Sequence, residues 1–470
     1  MKLRLREKIG YGFGDAASSM FWKLFSMYLM FFYTDIFGIP AAAVGTMFLL
    51  TRIWDAAFDP FVGILGDRTE TRWGKFRPYL LWVAVPFAII GVLTFTTPSL
   101  DAGGKLIYAY VTYSLMMMIY SLINVPYASL LGVMTADGKE RTTLATFRFI
   151  FAFGGSLVVL AAAEPLVGLF SKTGGATPNL QRGWQMTVAV FAVLAAILFW
   201  FTFAWTRERI KPVSEQTSLK HDLADLCKNK PWFILLGAGI ATIFFNSIRD
   251  GAAIYYFKYY LRTNDAFTLP ALKLTIGWSS LYFVLGQAAN IVGVILAKPV
   301  SDRIGKKNTF FAAMLSATIF SFFVYGLSPD SVALVLVLQC FISASAGFVF
   351  PLLWSMYADT ADYSEWATGR RATGLVFSAS SMSQKFGWTL GGAFAGWLLG
   401  YYGFQANVAQ NSNTQTGIRM MVSIYPALGA LVSAAFMLIY PLKESFLNSI
   451  ETELAARRSA AGKPEGITAS

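Results

Sequence analysis

Three charged residues interrupt an apolar stretch near residue 50 at helical spacing. Arg52, Asp55 and Asp59 lie between the apolar runs AAAVGTMFLL and FVGILG. Because side chains three or four positions apart share one face of a helix, we expect the three charges to form a single stripe. Two carboxylates one turn apart repel each other, so the pair is a candidate cation site. The alternative is a structural ion-pair network in which Arg52 or Lys385 neutralises the carboxylates.

The composition of the whole chain indicates a membrane protein. Hydrophobic residues make up 56% of the 470 residues and charged residues 14%, with a mean hydropathy of +0.53. A soluble protein is about 25% charged. A helix needs about 20 apolar residues to cross the hydrocarbon core. Twelve stretches meet that length, and they predict an all-α protein: 9–36, 42–66, 79–99, 105–134, 144–170, 184–206, 232–262, 274–300, 308–327, 331–358, 372–402 and 418–442.

The basic residues are distributed unevenly between the predicted loops. Most of the 38 Lys and Arg fall in the amino terminus, in every second loop and in the carboxyl-terminal segment. This asymmetry is typical of cytoplasmic segments in membrane proteins. It predicts that both termini are cytoplasmic, and it accounts for the net charge of +12 without nucleic-acid binding. The first stretch lacks a small-residue cleavage site, so we expect it to remain in the mature protein.

A long polar segment at 207–231 divides the twelve stretches into two sets of six. The sets resemble each other, since an Asp-Arg pair followed by further cations comes after the second stretch of each. This predicts an N-terminal bundle (1–206), a central loop (207–231), a C-terminal bundle (232–443) and a cytoplasmic tail (444–470). The last part of the tail, AARRSAAGKPEGITAS, is small and polar and is expected to be disordered. A transporter with two bundles binds its substrate near the midplane between them.

The chain has few residues suited to catalysis. Its two cysteines, Cys227 and Cys340, and its single His221 cannot build a Cys/His metal cluster, and no disulfide is expected between a loop and a span. We therefore expect no enzyme activity and no cofactor. We also expect no obligate protein partner; the expected partners are a small molecule and the surrounding lipid.

Several predicted spans carry charged groups that need an explanation, because each charge at the bilayer centre costs about 3 kcal/mol. Lys23 and Lys258 are predicted to extend to the membrane surface. Arg249 and Asp250 are predicted to pair with other helices, with substrate contact as the alternative.

Other spans cluster hydroxyl and amide groups beside aromatic rings. Such groups suit a polyol, which presents hydroxyls on its edge and C–H groups on its face. The clusters are FGDAASSMFW in the first stretch, SLINVPY in the fourth and SSMSQK in the eleventh.

Motifs along nearly the whole chain resemble those of the glycoside-pentoside-hexuronide:cation symporters, the melibiose-permease-like branch of the major facilitator superfamily. They are YGFGD, FFYTDIFG, RIWDAAFDP, RWGKFRPYLL, NVPYASL, ERTTLATFR, YYFKYYL and YADTADYSEWATGRR. The resemblance implies twelve helices in two pseudo-symmetric six-helix bundles. It also implies alternating access in a bacterial inner membrane, with inward transport of a sugar driven by H⁺, Na⁺ or Li⁺.

The resemblance assigns roles to individual residues. Asp55 and Asp59 match the cation carboxylates, Lys385 matches the lysine associated with them, and Arg148 matches an arginine near the sugar. The acidic motif of the tenth stretch matches a cytoplasmic gate. The predicted sets are a coupling group (Asp55, Asp59, Ser121, Asn124, Lys385), a substrate group (Asp15, Ser18, Ser19, Trp22, Asn124, Tyr127, Arg148, Phe350, Ser380, Ser381, Gln384) and a gate group (Asp359, Asp362, Glu365, Arg141).

The chain also departs from melibiose permease. Asn124 stands where that permease has an aspartate, Ala128 stands where it has a tryptophan, and Ser18 and Ser19 replace a Lys-Asp pair. Each change removes a sodium ligand or a galactoside contact. Since Na⁺ needs several oxygen ligands and a proton needs one carboxylate, H⁺ is favoured, with Na⁺ at Asp55 and Asp59 as the alternative.

A pentoside, a hexoside and a hexuronide all remain open as substrates. The nearest rival function is a carrier of a lipid-like or drug-like amphiphile.

Overall fold

A computed structural model describes residues 3–135, 138–172, 178–209, 228–261, 267–269, 274–368, 373–442 and 444–461. Within these residues each predicted apolar stretch contains a helix, and we number the helices span 1 to span 12. In chain order they are Leu5–Lys23 with Leu24–Leu29 and Phe32–Ile36 (span 1), Ala41–Arg68 (span 2), Arg77–Trp82 with Ala84–Thr94 (span 3), Ala102–Met134 (span 4), Gly138–Ser171 (span 5), Leu180–Trp205 (span 6), Lys230–Tyr255 with Tyr256–Tyr260 (span 7), Trp278–Ile304 (span 8), Lys306–Tyr325 (span 9), Val332–Thr368 (span 10), Thr373–Tyr401 (span 11) and Ser412–Val422 with Ile424–Ile439 (span 12).

The spans differ in how strongly they resemble membrane helices. In the described residues, eight helices are long and apolar enough to cross a membrane, namely spans 4 to 10 and span 12. Span 3 is divided at Val83, and spans 1, 2 and 11 carry charged side chains between apolar ones. Large apolar side chains are exposed on the outer helices, for example Ile107, Ile295 and Leu438. Such a surface suits contact with lipid and makes this a multi-pass membrane protein.

Neighbouring spans pack into two groups that follow the chain halves. Span 1 packs against spans 5 and 6, span 2 against span 4, and span 3 against span 6. In the second half, span 8 packs against span 10, and span 12 packs against spans 7 and 9. The groups meet where span 2 contacts span 11 and where span 5 contacts span 8. Span 2 of the first bundle corresponds to span 8 of the second, and span 5 corresponds to span 11. The contact between spans 2 and 11 therefore corresponds to the contact between spans 5 and 8, as expected for two pseudo-symmetric bundles.

The backbones of spans 2 and 11 approach each other closely through small residues. A Cβ atom on Gly396 would lie 2.6 Å from the Ala41 carbonyl oxygen and 2.7 Å from the Gly45 Cα atom. Close approach through glycine is a common way for helices to associate in membranes. The Trp397 indole nitrogen also donates a 3.0 Å hydrogen bond to the Thr46 hydroxyl. The two bundles are therefore in direct contact where the first residues of span 2 meet the last residues of span 11.

Two sequence predictions about boundaries need correction. Residues Phe267–Leu269 and Leu274–Ile276 form a short antiparallel hairpin, so the eighth helix begins at Trp278 and not at 274. Span 10 continues to Thr368, ten residues past the predicted end at 358, so the acidic motif is helical. Its polar composition marked the end of an apolar stretch, but it did not end the helix.

The carboxyl-terminal segment is more ordered than predicted. A helix, Glu444–Ala461, follows span 12, and its last seven residues lie in the segment AARRSAAGKPEGITAS that was predicted to be disordered. Ile450 and Leu454 are buried at a spacing of four, and the Trp366 indole donates a 2.7 Å hydrogen bond to Glu453. The rest of the tail, from 462 to 470, and the central segment 210–227 with His221 and Cys227 lie outside the described residues.

Candidate functional site

A polar network closes one end of the boundary between the bundles. The Asp35 side chain at the end of span 1 is fully buried and accepts hydrogen bonds from Lys258, at 2.7 Å, and from the Tyr259 hydroxyl. The Asn407 amide donates to the Asp35 backbone oxygen at 2.6 Å, and Lys258 donates to the Asn407 side chain at 2.7 Å. Lys258, which was predicted to extend to the membrane surface, thus also pairs with a carboxylate of the other bundle.

A cavity of about 510 Å³ lies between the bundles. Spans 1 and 5 line one side, and spans 7, 8, 10 and 11 line the other. This volume falls in the range of small-molecule sites, about 300 to 1,000 Å³. The members of the predicted substrate group that line it are Asp15, Ser19, Trp22, Phe350 and Gln384. Its wall therefore combines polar groups with aromatic rings.

Other members of the predicted substrate group lie outside the cavity lining. The Ser18 hydroxyl is 2.8 Å from the Asn124 side-chain oxygen, and the Asn124 amide donates to the Tyr120 carbonyl. The Tyr127 hydroxyl donates to the Tyr11 carbonyl at 2.7 Å, and the two rings stack. These groups join spans 1 and 4. Hydroxyls and amides serve helix packing as readily as ligand binding, so their residue types alone could not separate the two uses.

Arg148 lies outside the cavity lining but is bonded to an aspartate that belongs to it. Its Nε donates a 3.0 Å hydrogen bond to Asp15, which lines the cavity. The guanidinium also lies 5.4 Å from the centre of the Tyr127 ring. This pair ties span 5 to span 1 and holds the Asp15 carboxylate at the cavity wall.

The predicted coupling residues of spans 2, 4 and 11 are brought together. The Ser121 hydroxyl oxygen is 2.8 Å from Asp55 Oδ1 and 2.6 Å from Asp59 Oδ1. Lys385 contacts Asp59 directly, and its Nζ is 3.7 Å from Asp55 Oδ2. Arg52 lies 3.8 Å from Asp55. Two carboxylates thus face two cations, and the fifth predicted member, Asn124, is bonded to Ser18 and lies apart from this group.

The hydrogen count at Ser121 limits what the two carboxylates can be. A hydroxyl has one hydrogen and can donate it to only one of the two carboxylate oxygens. The other short contact becomes a hydrogen bond only if a carboxyl supplies a hydrogen. One of the two short contacts therefore has no hydrogen between its oxygens when both carboxyl groups are ionised.

The predicted gate is described only in part. Asp359 accepts from the Lys306 ammonium at 2.8 and 2.9 Å, which pairs span 10 with span 9 of the same bundle. Asp362 and Glu365 are partly buried on the same helix. The side chains of Arg141, Ser380 and Ser381 lie outside the part of the chain that the structure describes. No group of three His, Cys, Asp or Glu residues that could hold a metal occurs among the described residues.

The sequence prediction missed most of the cavity wall in the second bundle. This part includes Asn246 of span 7, Gln287 and Asn290 of span 8, and Gln339, Ser343 and Trp354 of span 10. Arg249 and Asp250 of span 7, for which substrate contact was the alternative prediction, also line the cavity. The polar residues of these spans recur at spacings of three or four, the same signal that marked span 2. Lys23 also lines the cavity, so its predicted extension to the membrane surface is wrong. Helical structure begins at Leu5 and ends at Ile36, which leaves Lys23 well inside span 1.

Comparison with known proteins extends over nearly the whole chain. The profile of the family described as MFS/sugar transport protein matches residues 10–444. The chain is 38% identical to the Inner membrane symporter YicJ of Escherichia coli (strain K12), over 96% of this chain and 95% of that protein. It is 39% identical to the Isoprimeverose transporter of Lactiplantibacillus pentosus, over 92% and 88% of the two chains.

Solved structures support the same fold. The inward open conformation of the xylose transporter XylE from E. coli superposes with a TM-score of 0.61 at 15% sequence identity, covering 96% of this chain and 98% of the other. At that identity the likeness concerns the fold alone. Together with the family match, it means that the chain belongs to the MFS/sugar transport protein family, whose members are membrane transporters and not enzymes.

Proposed function

We propose that this protein imports a sugar or glycoside together with a monovalent cation, and that H⁺ is preferred over Na⁺. It would work by alternating access in a bacterial inner membrane, with both termini cytoplasmic. The relatives that are named as a symporter and as an isoprimeverose transporter support this reading. The polar side chains of the cavity wall, which can bond sugar hydroxyls beside aromatic rings, and the names of these relatives support a sugar over a lipid-like amphiphile.

The contact of Lys385 with the two carboxylates is the observation that carries the coupling mechanism. Asp55 and Asp59 belong to span 2 of one bundle and Lys385 to span 11 of the other. Gln384 and Trp388, on either side of Lys385 in span 11, line the substrate cavity. A change at the carboxylates can therefore reach both the bundle interface and the substrate through one helix.

A cation would act by competing with Lys385. When a proton or Na⁺ neutralises Asp59, the lysine loses its partner and can move with span 11. If substrate binds better to that arrangement, then by linkage substrate also tightens cation binding by the same factor. Rocking of the bundles would then expose both ligands on the opposite side.

The preference for H⁺ is supported by the single hydrogen at Ser121. One proton on either carboxyl completes both short contacts of this hydroxyl. A sodium ion would need several oxygen ligands at once.

Uptake into proteoliposomes tests this function. Purified protein would be given labelled pentosides, hexosides and hexuronides under an imposed pH gradient or an imposed Na⁺ gradient. We expect at least one sugar to accumulate with the pH gradient and a protonophore to abolish that accumulation. Accumulation with the Na⁺ gradient alone would overturn the choice of ion. Failure of every sugar with folded protein would overturn the sugar assignment and favour an amphiphile carrier.

A further inference from the structure

We propose that Arg249 and Lys23 form an anion subsite in the cavity and that the transported sugar carries a carboxylate. This inference rests on the proposed function and narrows its substrate class. It depends on residues of spans 7 and 1 that neither the motif resemblance nor the proposed coupling mechanism uses.

The Arg249 guanidinium is buried at the cavity wall with most of its donors unused. Only 3% of the residue is exposed, and it lines the cavity. Its Nε and Nη1 atoms have no hydrogen-bond partner in the described structure, and Nη2 makes only a 3.5 Å contact with the Ser343 hydroxyl. Leaving buried donors unsatisfied is costly, and more so for a charged group. An oxygen-rich anion in the cavity would satisfy them.

The neighbouring carboxylate does not fill this role. Asp250 Oδ1 is 4.0 Å from Arg249 Nε, which is too long for a hydrogen bond. The two residues are adjacent in span 7, and consecutive side chains on a helix point in different directions. Asp250 therefore offsets charge near Arg249 but does not occupy its donors.

The charges around the cavity leave one cation in surplus among the described residues. Lys23 lines from span 1 the same cavity that Asp250 and Arg249 line from span 7. Asp250 can balance only one of these two cations. Asp15, the other carboxylate of the wall, is already hydrogen-bonded to Arg148. A ligand with a single negative charge would make the cavity neutral.

A carboxylate is the anion that fits both the charge and the donors. Its single charge equals the surplus, and its two oxygens match the planar donor set of a guanidinium. The amides of Gln287, Asn290 and Gln339 on the same wall can bond sugar hydroxyls, and Trp22 and Trp388 offer ring faces. The ligand that matches this wall is a sugar or glycoside in which one carbon is oxidised to a carboxylate.

Matched pairs of sugars test this subsite. The pairs are methyl β-D-glucuronide with methyl β-D-glucoside, and methyl galacturonide with methyl galactoside, which differ in having a carboxylate or a hydroxymethyl group. Uptake is driven by a pH gradient, with the membrane potential clamped by valinomycin and K⁺. We expect the acidic member of at least one pair to accumulate about tenfold more efficiently than the neutral member. Arg249→Gln should reduce this acid-to-neutral ratio of uptake at least tenfold. Arg249→Lys keeps the charge but not the planar set of donors, so it should give an intermediate ratio.

Arg419→Gln is the control variant. Arg419 is another arginine with an unsatisfied Nε, but it bonds the Tyr325 carbonyl and lies outside the cavity lining. Its substitution should leave the acid-to-neutral ratio unchanged. A wild-type preference for the neutral sugars, or an Arg249→Gln ratio equal to that of wild type, would overturn the anion subsite and leave sugar symport standing. If no sugar accumulates at all, the proposed function fails first and the subsite fails with it.

Discussion

The cavity has two arginine–aspartate pairs, one from each bundle, and they are built differently. Arg148 and Asp15 come from different helices and form a hydrogen bond of 3.0 Å. Arg249 and Asp250 are consecutive in one helix, lie 4.0 Å apart and are not hydrogen-bonded. The first pair satisfies its own groups and ties two spans together. The second leaves guanidinium donors facing the cavity, so the same residue types act as a tie in one bundle and as a candidate ligand site in the other.

The difference between the two pairs is tested most strongly by neutralising each arginine and measuring the stability of the folded protein. Arg148→Gln leaves Asp15 without its partner, which is strongly destabilising for buried pairs. Because 32% of the Arg148 side chain is exposed, we expect a loss of about 2 kcal/mol, less than for a fully buried pair. Arg249→Gln removes a buried charge with unused donors, so we expect unchanged or increased stability. Thermal unfolding in detergent, followed by tryptophan fluorescence, measures both, and equal destabilisation by the two variants would contradict the distinction.

A double-mutant cycle tests whether Arg148 and Asp15 stabilise each other. Combining Arg148→Gln with Asp15→Asn removes both charges, so the double variant should be more stable than the sum of the single effects predicts. We expect an interaction of about 1 kcal/mol or more. The equivalent cycle for Arg249→Gln and Asp250→Asn should give a smaller interaction, because these two side chains share no hydrogen bond. Cycles of equal size would remove the difference between the pairs.

The smallest expected effect concerns Asp250 alone. Asp250→Asn removes the negative charge next to Arg249 and so increases the surplus positive charge in the cavity. We expect the apparent KM for an acidic sugar to fall about fivefold, which corresponds to about 1 kcal/mol. Transport assays with the acidic and neutral sugar pairs measure this change. A fall of the same size for the neutral sugar would mean that the effect is not electrostatic.

The sequence predicted the helices and the coupling group better than the cavity wall. Apolar length located twelve spans, and the spacing of Asp55 and Asp59 located a stripe that does meet Ser121 and Lys385. Helical periodicity works here because it depends only on the span itself. Which residues of two different spans face each other depends on packing between helices, and one sequence does not contain that information.

Two residues illustrate this limit. Lys23 was expected at the membrane surface and lines the cavity. Tyr127 was expected at the substrate and is bonded to the span 1 backbone. In both cases the residue type was compatible with either position, and only the arrangement of neighbouring spans decides between them.

The central claim is that Asp55 and Asp59 couple cation to sugar by releasing Lys385, and Asp59→Asn tests it most directly. Sugar uptake driven by a pH gradient would be compared with counterflow, the exchange of labelled for unlabelled sugar, at equal pH on both sides of the membrane. Asp302→Asn is the control, since in the described part of the chain this exposed aspartate pairs with Lys298, one turn away on the same helix. We predict that Asp59→Asn abolishes accumulation but retains counterflow, whereas Asp302→Asn retains both. Full accumulation by Asp59→Asn would contradict the account and make the stripe a structural ion-pair network.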